Sequence, residues 1–149
     1  MKPGHRWYET KEQKLEKYGR CPECNQPNTY KKWCQSCNAN HFREAFSTWS
    51  SDNAEIDYFI QNTQIHAWSL WLILEWYPWE LFSEVEKIGQ GGYGTVFRAK
   101  TKRTRIREWD YQNNQWSRDY DIVEYVALKT IGESESLSKD LLNEVIYNY

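Results

Sequence analysis

Four cysteines, one glycine-rich run and one strand lysine are the residues of this chain whose types and spacing could do chemistry. Cys21-Pro22-Glu23-Cys24 and Cys34-Gln35-Ser36-Cys37 are two C-x-x-C knuckles separated by nine residues, and together they use all four cysteines. Each knuckle turns tightly enough for both its sulfurs to meet one ion, so the pair can surround Zn²⁺ with four thiolates. Reduced, disulfide-bonded and redox-active cysteines are the alternatives. Disulfides are disfavoured inside a cell, and nothing nearby reads as the βαβ unit of a redox C-x-x-C. His41 is a fifth candidate ligand beside a shell the cysteines already fill. The second set is Ile88-Gly89-Gln90-Gly91-Gly92-Tyr93-Gly94-Thr95-Val96, a G-x-G-x-x-G-x-V run. Glycine admits positive φ and lets the backbone approach a ligand closely, and such a turn can aim N–H groups at phosphate oxygens. The same spacing equally suits an ordinary hairpin turn. The third is Lys129, at the end of Val126-Ala127-Leu128-Lys129. A lysine among apolar strand residues is costly to bury unless an anion meets it.

The elements that must position these residues are legible in outline. Residues 122–131 are rich in β-branched and aromatic types and read as a strand, with Val123, Tyr125, Ala127, Lys129 and Ile131 on one face. Residues 138–147 read as a helix: Ser138 and Asp140 suit its start, and Leu137, Leu141, Val145 and Tyr149 recur every fourth residue. Glu144 borders that apolar stripe and can reach toward Lys129. Glu133 and Glu135 are rival partners that precede the helix.

In this order the residues resemble the start of the eukaryotic protein kinase catalytic domain. The resemblance rests on Ile88, Gly89, Gly91, Gly94 and Val96, then Arg98-Ala99, Val126-Ala127-Leu128-Lys129 and Leu142-Asn143-Glu144-Val145. It implies an α+β fold: an incomplete protein-kinase-like small lobe of antiparallel strands plus one helix, spanning residues 80–149. It further implies that Ile88, Gly89, Gln90, Gly91, Gly92, Tyr93, Gly94 and Val96, with Ala127 and Lys129, hold ATP. The glycine loop would cover the phosphates, and Ile88, Val96 and Ala127 would roof the adenine. Lys129 would hold the α/β-phosphates, with Glu144 as its ion-pair partner. No H-R-D, D-F-G or A-P-E motif occurs in the chain, so the residues that position the substrate hydroxyl and hold Mg²⁺ are missing. The expectation is the ATP-binding first part of a serine/threonine or tyrosine kinase. When complete, that enzyme would transfer the γ-phosphoryl group of Mg-ATP to a protein hydroxyl, whereas these 149 residues alone are expected to be inactive. The alternative is a non-catalytic, zinc-containing, kinase-like scaffold.

The remaining chain divides into a polar tail over 1–20, the four-cysteine zinc element over 21–41 and a helical connector over 42–79. A short helix within the tail is expected to fray, because only Leu15 and Tyr18 could offer it a buried face. So little chain surrounds the cysteines that the metal is expected to supply the fold there. In the connector Phe42, Phe46 and Trp49 share a helical face, Asp52 suits an N-cap, and Ile56, Phe59 and Ile60 form a second face. Residues 101–118 read as an extended hairpin turning at Asn113-Asn114 between Trp109 and Trp116. Arg20, Lys31, Lys32 and Trp33, and the basic residues from Arg103 to Arg107, could touch nucleic acid. With a formal net charge of −2 and charge signs that alternate along the chain, solvated faces are the favoured reading. The zinc element reads as structural or as a contact for a protein partner. No apolar segment follows Met1, and the longest apolar run, Leu70–Leu74, is far short of the ~20 residues a spanning helix needs. The expectation is an intracellular protein, cytoplasmic or nuclear, without a membrane partner.

Overall fold

A computed structural model of the chain describes residues 9–91, 94–119 and 124–130. The Gly92-Tyr93 pair, Ile122, Val123 and the helix expected over 138–147, with Glu144, lie outside the described residues. The chain separates into two compact units, Met1–Trp76 with Glu108–Gln115, and Tyr77–Arg107 with Trp116–Tyr149. Among the described residues the fold is α+β, with three α-helices and antiparallel sheets.

The first unit opens on helix α1, Lys11–Tyr18, where fraying was expected. It buries no residue and is held by its ends. Thr10 Oγ1 accepts from Gln13 N–H and Gln13 Oε1 accepts from Thr10 N–H, at 3.2 and 2.8 Å. This capping box satisfies donors that would otherwise face water without a partner in the helix. Gly19, at φ 73°, stops the helix and donates its N–H back to Leu15. A short antiparallel bridge Arg20↔Pro27 then closes around the first knuckle, and a second, Tyr30↔Trp33, turns the segment between the knuckles.

Helix α2, Gln35–Ala45, begins inside the second knuckle and buries Cys37, Asn38, Ala39 and Phe42. Of the face expected for this helix only Phe42 is buried, because a 3-10 turn at Phe46–Thr48 changes the period before Trp49. Helix α3, Ala54–His66, packs against α2. Its N-cap is Asn53, one residue after the Asp52 expected: Asn53 Oδ1 accepts from the N–H groups of Glu55 and Ile56 at 2.9 and 3.2 Å. Asp52 instead takes φ 63° in the turn before the helix, a turn fastened by Ser50 and Ser51 donating to Asp57. More apolar burial surrounds the cysteines than their own segment promises. Trp33 is fully buried, lies near Phe42 with ring centroids 6.4 Å apart, and donates its indole N–H to the Ala67 carbonyl at 2.9 Å.

In the second unit β1 (Phe82–Gly91), β2 (Gly94–Thr101) and β5 (Glu124–Lys129) form an antiparallel sheet in the order β1-β2-β5. The described part of the strand expected over 122–131 is β5, and antiparallel strands flank the glycine run. A separate hairpin pairs β3 (Ile106–Asp110) with β4 (Gln115–Arg118), and its turn end belongs to the first unit. Gly94 has a steric reason to be glycine. Its φ is 133°, and a Cβ there would collide with the Thr130 carbonyl oxygen, so a side chain would force β5 away from β2. No helix among the described residues is long and apolar enough to cross a membrane.

Trp33→Ala should destabilise the first unit by about 3–5 kcal/mol, as loss of a large buried aromatic does. Asn53→Ala, which removes only a helix cap, should cost about 1 kcal/mol. Urea unfolding followed by circular dichroism measures both. Equal losses would contradict the placement of Trp33 as the anchor of this unit.

Candidate functional site

The four cysteine sulfurs converge. All lie within 4.8 Å of one another, with Cys21 Sγ to Cys37 Sγ at 3.8 Å and Cys24 Sγ to Cys34 Sγ at 3.7 Å. A regular tetrahedron of ~2.3 Å zinc–sulfur bonds has sulfur–sulfur edges of about 3.8 Å. These separations therefore leave the space one ion needs, and they far exceed the ~2.05 Å of a disulfide bond. Cys21, Cys34 and Cys37 are buried and Cys24 is half-buried. The donor set is consistent with zinc, and four thiolates fill a tetrahedral shell with no position left for a substrate, as in structural zinc sites. When bound, the ion would supply cross-linking of the two knuckles and no reaction chemistry.

Burial, neighbouring sulfurs and local hydrogen bonds together explain why these sulfurs differ as acids. Burial opposes ionisation of Cys21, but the backbone N–H groups of Cys24 and Glu23 and the hydroxyl of Tyr111 outweigh it and hold that thiol below its ordinary range. Burial pushes Cys34 up to about 11. Cys37 is pushed up further by burial and by the neighbouring sulfurs of Cys24, Cys34 and Cys21. A cation must therefore displace protons from these thiols as it binds.

His41, the rival ligand, is outside the sulfur cluster. Its Nε2 lies 2.9 Å from Glu23 Oε2, and its ring stacks on Trp109 with centroids 3.7 Å apart and planes 6° apart. Trp109 belongs to the turn end of the β3–β4 hairpin, which the residue pattern identifies as a hairpin but does not connect to the cysteines. Two further contacts tie that end to the same module: Tyr111 Oη lies 3.7 Å from Cys21 Sγ, and Lys32 Nζ lies 2.9 Å from Glu108 Oε1. The exposed ion pair is worth roughly 0–1 kcal/mol, so the aromatic stack and the contact to sulfur matter more. The dense aromatic set Trp109, Tyr111 and Trp116 was the available signal. Nothing in its spacing points to a partner so far away in the chain.

Of the residues expected to hold a nucleotide, the described ones gather on the β1-β2-β5 sheet. Val96 pairs with Gly89 on one side and with Lys129 on the other, and Arg98 pairs with Glu86 and Ala127. Directly opposed residues in an antiparallel sheet point to one face. Val96, Ala127 and Lys129 therefore share a face, and Ala127 and Lys129 are exposed on it. Ile88 sits at a register shift between Lys87 and Gly89 and is 57% exposed. Gln90 accepts from Lys87 Nζ at 2.9 Å, and Gly91 pairs with Gly94 across the turn. A Cβ at Gly89 or Gly91 would meet open space. Gly92, Tyr93 and Glu144 fall outside the described residues, so the expected Lys129–Glu144 pair does too. The basic residues raised for nucleic acid are partly engaged in ion pairs: Arg105 and Arg107 both meet the Asp119 carboxylate, at 3.1 and 2.8 Å.

No protein-family model, curated protein or solved structure matches the chain.

Protein purified under reducing conditions should carry one zinc per chain by atomic absorption, and Cys34→Ser with Cys37→Ser should abolish it. Because the thiols of Cys34 and Cys37 are raised, zinc affinity should climb with pH, by about tenfold per pH unit for each proton displaced. Chelator competition between about pH 6 and 8 measures the slope. Iron in place of zinc would reassign the ion, and substoichiometric metal would remove the site.

Proposed function

We propose that residues 80–149 are the nucleotide-holding part of a protein kinase small lobe, preceded by a zinc-stabilised module that provides a contact surface for protein. The observation that carries the first half is the cross-strand register that sets Val96, Ala127 and Lys129 on one open face beside the glycine-rich turn. Apolar Val96 and Ala127, with Ile88 on the neighbouring strand, suit the flat apolar surface of adenine. The lysine on the same face suits the phosphates, whose charge a cation stabilises best at close range. Gly89 and Gly91 leave their backbone open to approach. In this reading Lys129 holds the α/β-phosphates and Glu144 orients it. Mg²⁺ and the substrate hydroxyl would be handled by residues of a catalytic lobe, where the γ-phosphoryl group passes to a protein.

A second reading is carried by the sulfur cluster: a non-catalytic scaffold in which the metal-held module binds a protein and the sheet holds no nucleotide. The two readings differ in what ATP does to the chain.

Nuclear magnetic resonance of the ¹⁵N-labelled chain should show millimolar ATP moving the amide signals of Gly89, Gly91, Val96 and Lys129. Lys129→Met should weaken that effect without changing the unfolding temperature. In a protein that joins this segment to a catalytic lobe, the same change should lower phosphoryl transfer by roughly 10²-fold or more, the cost of losing one preorganised charge at the reacting phosphates. An unmoved glycine turn at saturating ATP, with zinc still bound, would leave the scaffold reading in its place.

A further inference from the structure

Contacts from the turn end of the β3–β4 hairpin fall on three different parts of the cysteine module. Tyr111 meets Cys21, the first candidate ligand. Trp109 stacks on His41, which also meets Glu23, between the two cysteines of the first knuckle. Glu108 pairs with Lys32, in the excursion that joins the knuckles. The turn is built in advance for such docking. Asp110 accepts from the backbone N–H groups of Gln112 and Asn113 at 2.9 and 3.1 Å and from the Asn113 side chain at 2.7 Å. Asn114 takes the left-handed conformation, at φ 51°, that closes the loop.

Four thiolates around one dication leave a doubly negative centre, and such sulfurs are acceptors for any donor in reach. A phenol is a donor and a metal-bound thiolate is not, so ion binding fixes the direction of the Tyr111–Cys21 contact, with the hydroxyl donating to sulfur. We propose that the hairpin end Glu108–Gln115 is the outer shell of the metal centre. Tyr111 acts as a positioning residue on the Cys21 thiolate, and metal loading fastens the hairpin to the module. This rests on the reading of the four cysteines as a metal site. The hairpin is also the covalent connection from β2 to β5, the strand that carries Lys129.

The test uses the full chain with zinc, and with cobalt(II) as a spectroscopic probe of thiolate ligands. Tyr111→Phe keeps the ring and removes only the donor. It should weaken zinc by roughly tenfold in chelator competition, the lower end of outer-shell effects. It should also move the sulfur-to-cobalt charge-transfer band to longer wavelength, which a purely structural loss would not do. In the zinc-loaded wild type, amide hydrogen exchange over Glu108–Gln115 should be slow, and Trp109→Ala should speed it while zinc stays bound. An unchanged affinity and band in Tyr111→Phe, or exchange over Glu108–Gln115 as fast with zinc as without it, would overturn the proposal and leave the metal site intact. A wild-type chain that takes up no stoichiometric metal would overturn the metal reading itself, and this proposal with it.

Discussion

Four sulfurs brought within reach of one ion are the constraint on which the first unit depends. Buried thiols make a poor core by themselves: they are small, they donate weakly, and they repel one another once ionised. Here three of the four are buried, and their environment drives two of them away from ionisation. A cation bound at the centre would turn that liability into a cross-link. The rest of the unit is arranged so that the sulfurs can stay where they are. Helix α2 starts within the second knuckle, so Cys37 is already part of a helix that packs on α3. Trp33, next to Cys34, is driven into the unit and pinned by a hydrogen bond to the residue that ends α3.

The second unit depends on a backbone constraint. Gly94 and Thr130 approach so closely that only glycine fits at the end of the β2–β5 pairing, whose register sets Val96 opposite Lys129. From that register follows which side chains share a face, and so whether a cation at Lys129 and the apolar surface of Val96 and Ala127 can serve one ligand. On the opposite face Ala99 and Thr101 are buried, and Phe97 and Leu128 are half-buried. The exposed side is populated by charge and aromatic surface, with Arg98 paired to Glu86 and lying 5.0 Å from the Tyr125 ring.

Several local features were open to reading because the interactions that produce them are themselves local. Two C-x-x-C knuckles declare a ligand set because each pair of sulfurs is preorganised by a short turn. The strand that carries Lys129 shows itself through β-branched and aromatic residues, whereas the strands beside the glycine run are what the kinase resemblance implies. Where reading by pattern failed, a neighbouring hydrogen bond outweighed it. The α1 helix needs no buried face because Thr10 and Gln13 cap it. The N-cap falls on Asn53 because Asp57 fastens the preceding serines into a turn that places Asp52 in the left-handed region.

The cysteine quartet, the glycine turn, the lysine strand and the existence of a hairpin over 101–118 are all written in residues a few positions apart. Over so short a span, chain stiffness limits the outcomes to a few, and residue type selects among them. Only the folded chain takes His41 out of the ligand shell to stack on Trp109, brings Tyr111 to Cys21, and sets Lys32 against Glu108. The last two contacts join residues 90 and 76 positions apart. Between partners so distant, no periodicity or propensity carries information. Their meeting is settled only when the knuckles, the helices and the hairpin turn have each taken shape and found complementary surfaces.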